Sequence, residues 1–289
     1  MLVTLKEILE IAEEKKIAVG AFNTPNLESL IAILGAAEEL QLPVIIQMAE
    51  CHENLTPVSV IGPVMVEQAK KAKVPVCVHL DHGETLEYVQ QVLDIGFTGV
   101  MFDGSTLPYE ENVSMVKQTV EKAKKAGASV EAELGSMGRR ESGAGDGSGA
   151  DDDTKIYTDP VLAKKFVAET GIDALACSFG TTHGIYLTKP RLDFSVVENV
   201  RKETGNIPVV MHGGSGVSSE DFHKAVAAGV RKINYFTYMD KAAGAGLTEY
   251  MKSVEEGMPV FFTEAAVKAT AFMKENVKEA MKVFANLDC

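Results

Sequence analysis

The sequence predicts a (β/α)8 TIM barrel: one domain over residues 1–289, with an N-terminal capping helix and a C-terminal helical extension. Three observations carry this. Eight short apolar runs alternate with amphipathic stretches, as strands alternate with helices in a parallel barrel. No shift in composition divides the chain. The polar residues suited to chemistry gather where those apolar runs end, and the strand ends are where barrels keep their active sites. A doubly wound open sheet shares the alternation. It loses ground because no Gly-x-Gly-x-x-Gly follows the first strand.

The elements follow in order. Thr4-Leu5-Lys6-Glu7 has the form of a capping box, and Leu5, Ile8, Leu9 and Ala12 continue at helical spacing. Strands are expected at Ile17–Phe22, Pro43–Met48, Pro75–Leu80, Gly99–Phe102, Ser129–Leu134, Ala174–Phe179, Pro208–Met211 and Val230–Asn234. Amphipathic stretches between them include Leu27–Leu40, Val58–Lys71, Glu110–Lys125, Pro160–Thr170 and Asp221–Ala228, and a helix near Glu264–Phe284 closes the chain. One segment breaks the rhythm. Residues from Gly135 to Asp153 hold Gly135, Gly138, Gly143, Gly145, Gly147 and Gly149 and then three consecutive aspartates, which reads as a mobile loop over the barrel mouth.

Composition excludes several roles. A net charge of −13 argues against binding nucleic acid or an anionic membrane, both of which call for basic patches. No stretch approaches the ~20 apolar residues of a membrane span. The first residues lack the basic flank and apolar segment of a signal peptide, so a cytoplasmic location is expected. Cys51, Cys77, Cys177 and Cys289 show no paired spacing, and Cys77 and Cys177 lie in apolar runs, where free cysteine acts as a small hydrophobe.

Chemistry collects at the strand ends. Asp81 and His82 end the third strand within His79-Leu80-Asp81-His82-Gly83, Asp103 ends the fourth and Glu133 the fifth. His183 lies just past the sixth, His212 ends the seventh and Asn234 the eighth. His82, His183 and His212 are suited to converge on one divalent metal with a position open for substrate. That is a catalytic zinc pattern, although cobalt, iron or manganese would also suit the donors. Asp103 and Glu133 would form a second cation site, hold the histidines in their tautomers, or pair with a lysine at the rim. His79 reads as an interior or supporting group, His52 as part of the loop after the second strand, and His223 as a solvated helix residue. Gly213-Gly214-Ser215-Gly216 and the turn Asn234-Tyr235-Phe236-Thr237 follow strands seven and eight, where barrels commonly seat a phosphate.

The stretches His79–Gly83, Glu131–Gly135, Gly180–Gly184 and His212–Gly216, in that order and starting from Gly20-Ala21-Phe22-Asn23, resemble the class II (metal-dependent) ketose-bisphosphate aldolases, including the fructose- and tagatose-bisphosphate enzymes. The resemblance spans nearly the whole chain. It implies that His82, His183 and His212 hold a catalytic Zn2+ and that Asp103 and Glu133 match a second divalent site, with room for a monovalent cation. Asp81 matches the acid that protonates the aldehyde carbonyl in condensation, a role that calls for a raised pKa. Glu141 falls where the family's mobile loop carries its proton-shuttling glutamate. Gly184, Gly213, Ser215, Asn234 and Thr237 match phosphate-binding positions, and Asn23 an active-site asparagine. The family also implies a homodimer or homotetramer.

Three departures bear on the substrate. The loop reads Gly138-Arg139-Arg140-Glu141-Ser142, with two arginines where the family usually has glycine and a polar residue, and they would suit a second anion. Ala49-Glu50 stands where several fructose enzymes carry serine. Phe236 takes the place of an aspartate in fructose enzymes and an alanine in tagatose enzymes. The expected activity is reversible cleavage of a ketose 1,6-bisphosphate of fructose or tagatose type to dihydroxyacetone phosphate and glyceraldehyde 3-phosphate. The alternatives are the same scission of a deoxy-, sulfo- or thio-sugar 1-phosphate, a Schiff-base aldolase using Lys232, or a sugar-phosphate binder without catalysis.

Overall fold

Strands that are apolar on both faces need a core on each side of the sheet, which a closed parallel barrel wrapped in helices supplies. The protein is described by a computed structural model over residues 1–135, 157–182, 184 and 190–288. Its strands are β1 (Val19–Asn23), β2 (Val44–Ala49), β3 (Val76–Gly83), β4 (Gly99–Phe102), β5 (Ser129–Leu134), β6 (Ala174–Cys177), β7 (Val209–Met211) and β8 (Val230–Tyr235). They pair in sequence order, all parallel, and β1 pairs β8 to close the ring. This is the barrel the sequence predicts. The largest change of bounds is at β3, which runs past Leu80 to Gly83.

Alternation along each strand separates two cores. On β3, Val76, Val78 and Leu80 face outward into the large core shared with the helices, while Cys77 faces the lumen. Val19, Ala21, Ile45, Ala174, Ala176 and Val210 join Cys77 there and pack on Leu5, Ile8, Leu9 and Ala12 of α1 (Leu5–Lys15). The capping helix therefore closes the floor of the barrel, and its capping box between Thr4 and Glu7 forms as predicted. Burial pushes the Cys77 thiol up to about 12, so it behaves as packing rather than as a nucleophile.

Glu13 fastens that floor. Arg231 Nε donates to its carboxylate at 2.5 Å, and Arg201 Nη2 lies 3.0 Å from the other oxygen. Burial works against its ionisation, but Lys16, Arg231 and Arg201 win and hold the Glu13 carboxyl at about 2.

The outer ring is α2 (Leu27–Leu40), α3 (Val58–Lys71), α4 (Leu86–Ile95), α5 (Tyr109–Ala126), α6 (Pro160–Thr170), α7 (Phe194–Thr204) and α8 (Ser219–Ala228). The C-terminal extension is α9 (Thr237–Ser253) followed by α10 (Phe262–Phe284), which packs on α2, α8, α9 and β1. No helix among the described residues is long and apolar enough to cross a membrane.

Candidate active site

Strict alternation would send Asp81 and His82 to opposite faces of β3. They reach the same place because the strand bulges. Leu80 pairs with Val100 and Gly83 with Phe102, so β3 carries one residue more than β4 over this interval. His82 absorbs the irregularity in a left-handed conformation, φ 43°, a strained state for a residue with a side chain. Its ring then meets that of His212, which follows β7, with centroids 4.6 Å apart.

Each imidazole has one nitrogen occupied by a carboxylate. His82 Nδ1 lies 2.7 Å from Asp103 Oδ2, and His212 Nε2 lies 2.8 Å from Glu131 Oε1. His82 Nε2 is turned towards Asp81, at 4.0 Å, and His212 Nδ1 towards Glu133, at 3.4 Å. Asp81, His82 and His212 each bring a ligand atom within 4.8 Å of the others, and so do His82, Asp103 and Glu133. Imidazoles oriented by carboxylates and converging with a further carboxylate are a donor set that fits a divalent cation. Asp103 and Glu133 contact the histidines rather than a rim lysine, as expected of groups that fix tautomers. Burial lowers the His212 pKa, but Glu131 and Glu133 more than reverse this and raise it to about 10.

Asp81 sits at the top of the lumen, 4% exposed, and its two oxygens accept from Asn234 Nδ2 (2.8 Å) and Asn23 Nδ2 (3.0 Å). Asn23 is oriented in turn by Gln47 Nε2, at 3.1 Å. The sequence reading required a raised pKa at Asp81, and the shift runs the other way. Burial favours the neutral acid, but the charges of His82, His212 and Lys232 and the Asn23 hydrogen bond hold the carboxyl well below the usual range. Asp81 is thus held as an ionised carboxylate.

Beneath the site lies a charged layer with no exposure. Lys232 Nζ is 2.8 Å and His79 Nε2 3.3 Å from Glu131 Oε2, and all three residues are fully buried. Burial opposes the charge on Glu131, and Lys232, His212 and His79 hold its carboxyl well below the ordinary value. His79 is the interior group the sequence suggested. Lys232 spends its charge on Glu131, which removes the appeal of a Schiff-base lysine. Glu131 and Gln47 were not picked out from the sequence. The available signal was a polar residue at a lumen-facing position, Gln47 in an otherwise apolar strand and Glu131 two residues before Glu133.

The glycine turns sit beside this cluster. Gly213 has φ 65° and packs so closely that a Cβ would lie 2.4 Å from the Thr182 carbonyl oxygen. Ser215 Oγ accepts from the backbone N–H groups of Phe236 (3.3 Å) and Tyr238 (3.4 Å), capping α9 from another part of the chain. A cavity of about 270 Å³ opens here, lined by Asn23, Asp81, His82, Gly184, Gly213, Ser215, Asn234 and Thr237 among others. Thus Asn23, Gly184, Gly213, Ser215, Asn234 and Thr237 line one cavity with Asp81 and His82. His183, Glu141, Arg139 and Arg140, and the expected loop from 136 on, lie outside the described residues.

Residues 3–288 match the family model described as fructose-bisphosphate aldolase class-II. The chain belongs to the class II fructose-bisphosphate aldolase family. It is an aldolase, a lyase that breaks a carbon–carbon bond. A fructose-bisphosphate aldolase of Staphylococcus aureus is 38% identical over 98% of this chain and 97% of its own. One from Geobacillus stearothermophilus is 43% identical over 82% of this chain and 81% of its own. Among solved structures, the YdjI aldolase of Escherichia coli K12 aligns over 98% of this aldolase and 97% of its own chain, with 33% identity and a TM-score of 0.85.

Proposed function

We propose that this aldolase is a metal-dependent enzyme that reversibly splits a phosphorylated ketose into dihydroxyacetone phosphate and an aldehyde. The observation that carries the reading is the convergence of Asp81, His82 and His212 beside glycine turns in a member of this family. Fructose and tagatose 1,6-bisphosphate, whose aldehyde product is glyceraldehyde 3-phosphate, head the substrates to try. His82 and His212, with His183 as the third imidazole, would hold a zinc ion, and Asp103 and Glu133 would serve a second divalent ion. A divalent ion there supplies Lewis-acid stabilisation of negative charge developing on the substrate oxygens.

The protein's own groups do the rest. In cleavage, Asp81 takes the proton of the C4 hydroxyl as the C3–C4 bond breaks. Glu141 returns a proton to C3 of the released half. The turn at Gly213–Ser215, with Gly184, Asn234 and the N-terminal end of α9 at Thr237, would take the C1 phosphate on backbone N–H groups. Asn23 and Asn234 hold the Asp81 carboxylate in position. The chain acts as one barrel domain, and on family analogy as a homo-oligomer in the cytoplasm.

The test is a cleavage assay on zinc-loaded protein with fructose 1,6-bisphosphate, tagatose 1,6-bisphosphate and several ketose 1-phosphates, with Glu141→Ala and chelator controls. Dihydroxyacetone phosphate formed by the wild type, and lost on chelation, is expected. Metal-bound protein that yields no product from any of them would leave a sugar-phosphate binder as the better description.

A further inference from the structure

The loop after β2 is pinned at two points. The Glu50 carboxylate accepts from the backbone N–H groups of Glu84 (2.6 Å) and Thr85 (3.2 Å) and from the Thr85 hydroxyl (3.0 Å). The Glu53 carboxylate accepts from the Val58 N–H (2.9 Å) and the Tyr88 hydroxyl (2.6 Å). Between these anchors His52 is laid against Phe236, in the turn after β8, with ring centroids 5.0 Å apart and planes tilted by 51°. Both rings line the same cavity as Asp81 and His82, with Ala49 and Cys51 beside them. No lysine or arginine is among the described residues that line it.

An aldol substrate divides into two halves. The glycine turns and the histidine cluster account for the phosphate and ketone end, which leaves the aromatic pair to face the aldehyde half. The face of Phe236 carries negative potential, so it attracts the slightly positive C–H edges of a sugar chain and is a poor neighbour for a phosphate, and His52 lies against that ring. Anchoring at Glu50 and Glu53 means the wall is formed before substrate arrives, and little ordering is left to binding.

We propose that the His52–Phe236 pair is a specificity element that stacks on the aldehyde half and selects ketose 1-phosphates with an uncharged far end over ketose 1,6-bisphosphates. This rests on the aldolase reading above and narrows its substrate class.

The experiment compares kcat/KM for matched pairs, fructose 1-phosphate with fructose 1,6-bisphosphate and the tagatose pair, on zinc-loaded full-length protein. The wild type is expected to favour each monophosphate roughly tenfold or more. His52→Ala and Phe236→Ala should each lower the monophosphate value by roughly 3- to 10-fold and draw the ratio towards one, while His52→Phe, which keeps a ring, preserves the ratio. His52 lies on a rim loop, so its variants carry the test even if Phe236→Ala fails to fold. A wild type that prefers the bisphosphates, or variants that lose both substrates equally, overturns the proposal. Solvent hydrogen exchange into dihydroxyacetone phosphate, which needs no aldehyde half, separates the two levels. Exchange without the preference removes this inference alone, and no exchange removes the aldolase reading and this one with it.

Discussion

Asp81 and His82 are neighbours in the sequence and neighbours in the site, which a regular strand forbids. The extra residue between Leu80 and Gly83 is what reconciles the two. Gly83 is the part of this device that tolerates least. A Cβ there would meet the Met101 carbonyl oxygen at 2.6 Å and Leu80 Cδ2 at 2.7 Å. Gly83→Ala is expected to cost about 1–3 kcal/mol through overpacking and to reduce metal content, since His82 must move with the bulge. Thermal unfolding and elemental analysis check both.

Asp81 should matter for turnover more than for binding. It is held by Asn23 and Asn234 as a carboxylate, so Asp81→Asn keeps the size of the side chain, removes the base and turns one of its two acceptors into a donor. A loss of roughly 10²- to 10⁴-fold in kcat is expected, with KM changed much less. Steady-state kinetics decide it, and a variant with near-normal kcat would remove Asp81 from the proton transfer.

The carboxylate behind a ligand tunes it. Glu131→Gln removes the charge that sets the His212 ring, and metal affinity should fall by about 10- to 100-fold, read by competition with a chromophoric chelator. Lys232→Met acts on the same layer from the other side. It strands the Glu131 charge in the lumen and is expected to destabilise the protein by about 3–5 kcal/mol, measured by denaturant unfolding.

Glu13 makes a prediction in pH. Its carboxyl falls from 4.5 to about 2 on folding, so its stabilising contribution is complete above about pH 4.5 and is lost as pH falls through about 2. The side chain is 35% exposed, and solvent screening reduces the effect to on the order of 1 kcal/mol. Glu13→Gln should lose that amount at pH 7 and converge on the wild type near pH 2 in parallel unfolding curves.

Local chemistry made most of the barrel legible. The capping box at Thr4 and the apolar runs announce their elements, and α2, α3 and α6 begin and end where periodicity places them. α9 did not announce itself. Its N-terminal neighbour, Phe236, offers no side-chain cap, and the capping oxygen is that of Ser215, which only the fold brings near. The site was legible for a related reason and to a related extent. Histidines and carboxylates at strand ends are visible in the sequence, but pairings across the lumen, such as Glu131 with Lys232, join residues from β5 and β8 that no spacing rule links. The lowered pKa of Asp81 was not legible, because His82, His212 and Lys232, whose charges lower it, are gathered around it only by the fold.

The double anchoring of the loop after β2 has a consequence for how this barrel can diversify. Glu50 and Glu53 fasten the loop to α4 and α3 through their side chains, on either side of positions 51 and 52. The frame is thus held from outside the two residues that line the cavity between the anchors, and variation of this wall concentrates on their side chains. Randomising Cys51 and His52 is therefore a short route to new aldehyde tolerance, with the reacting end of the pocket left as it is.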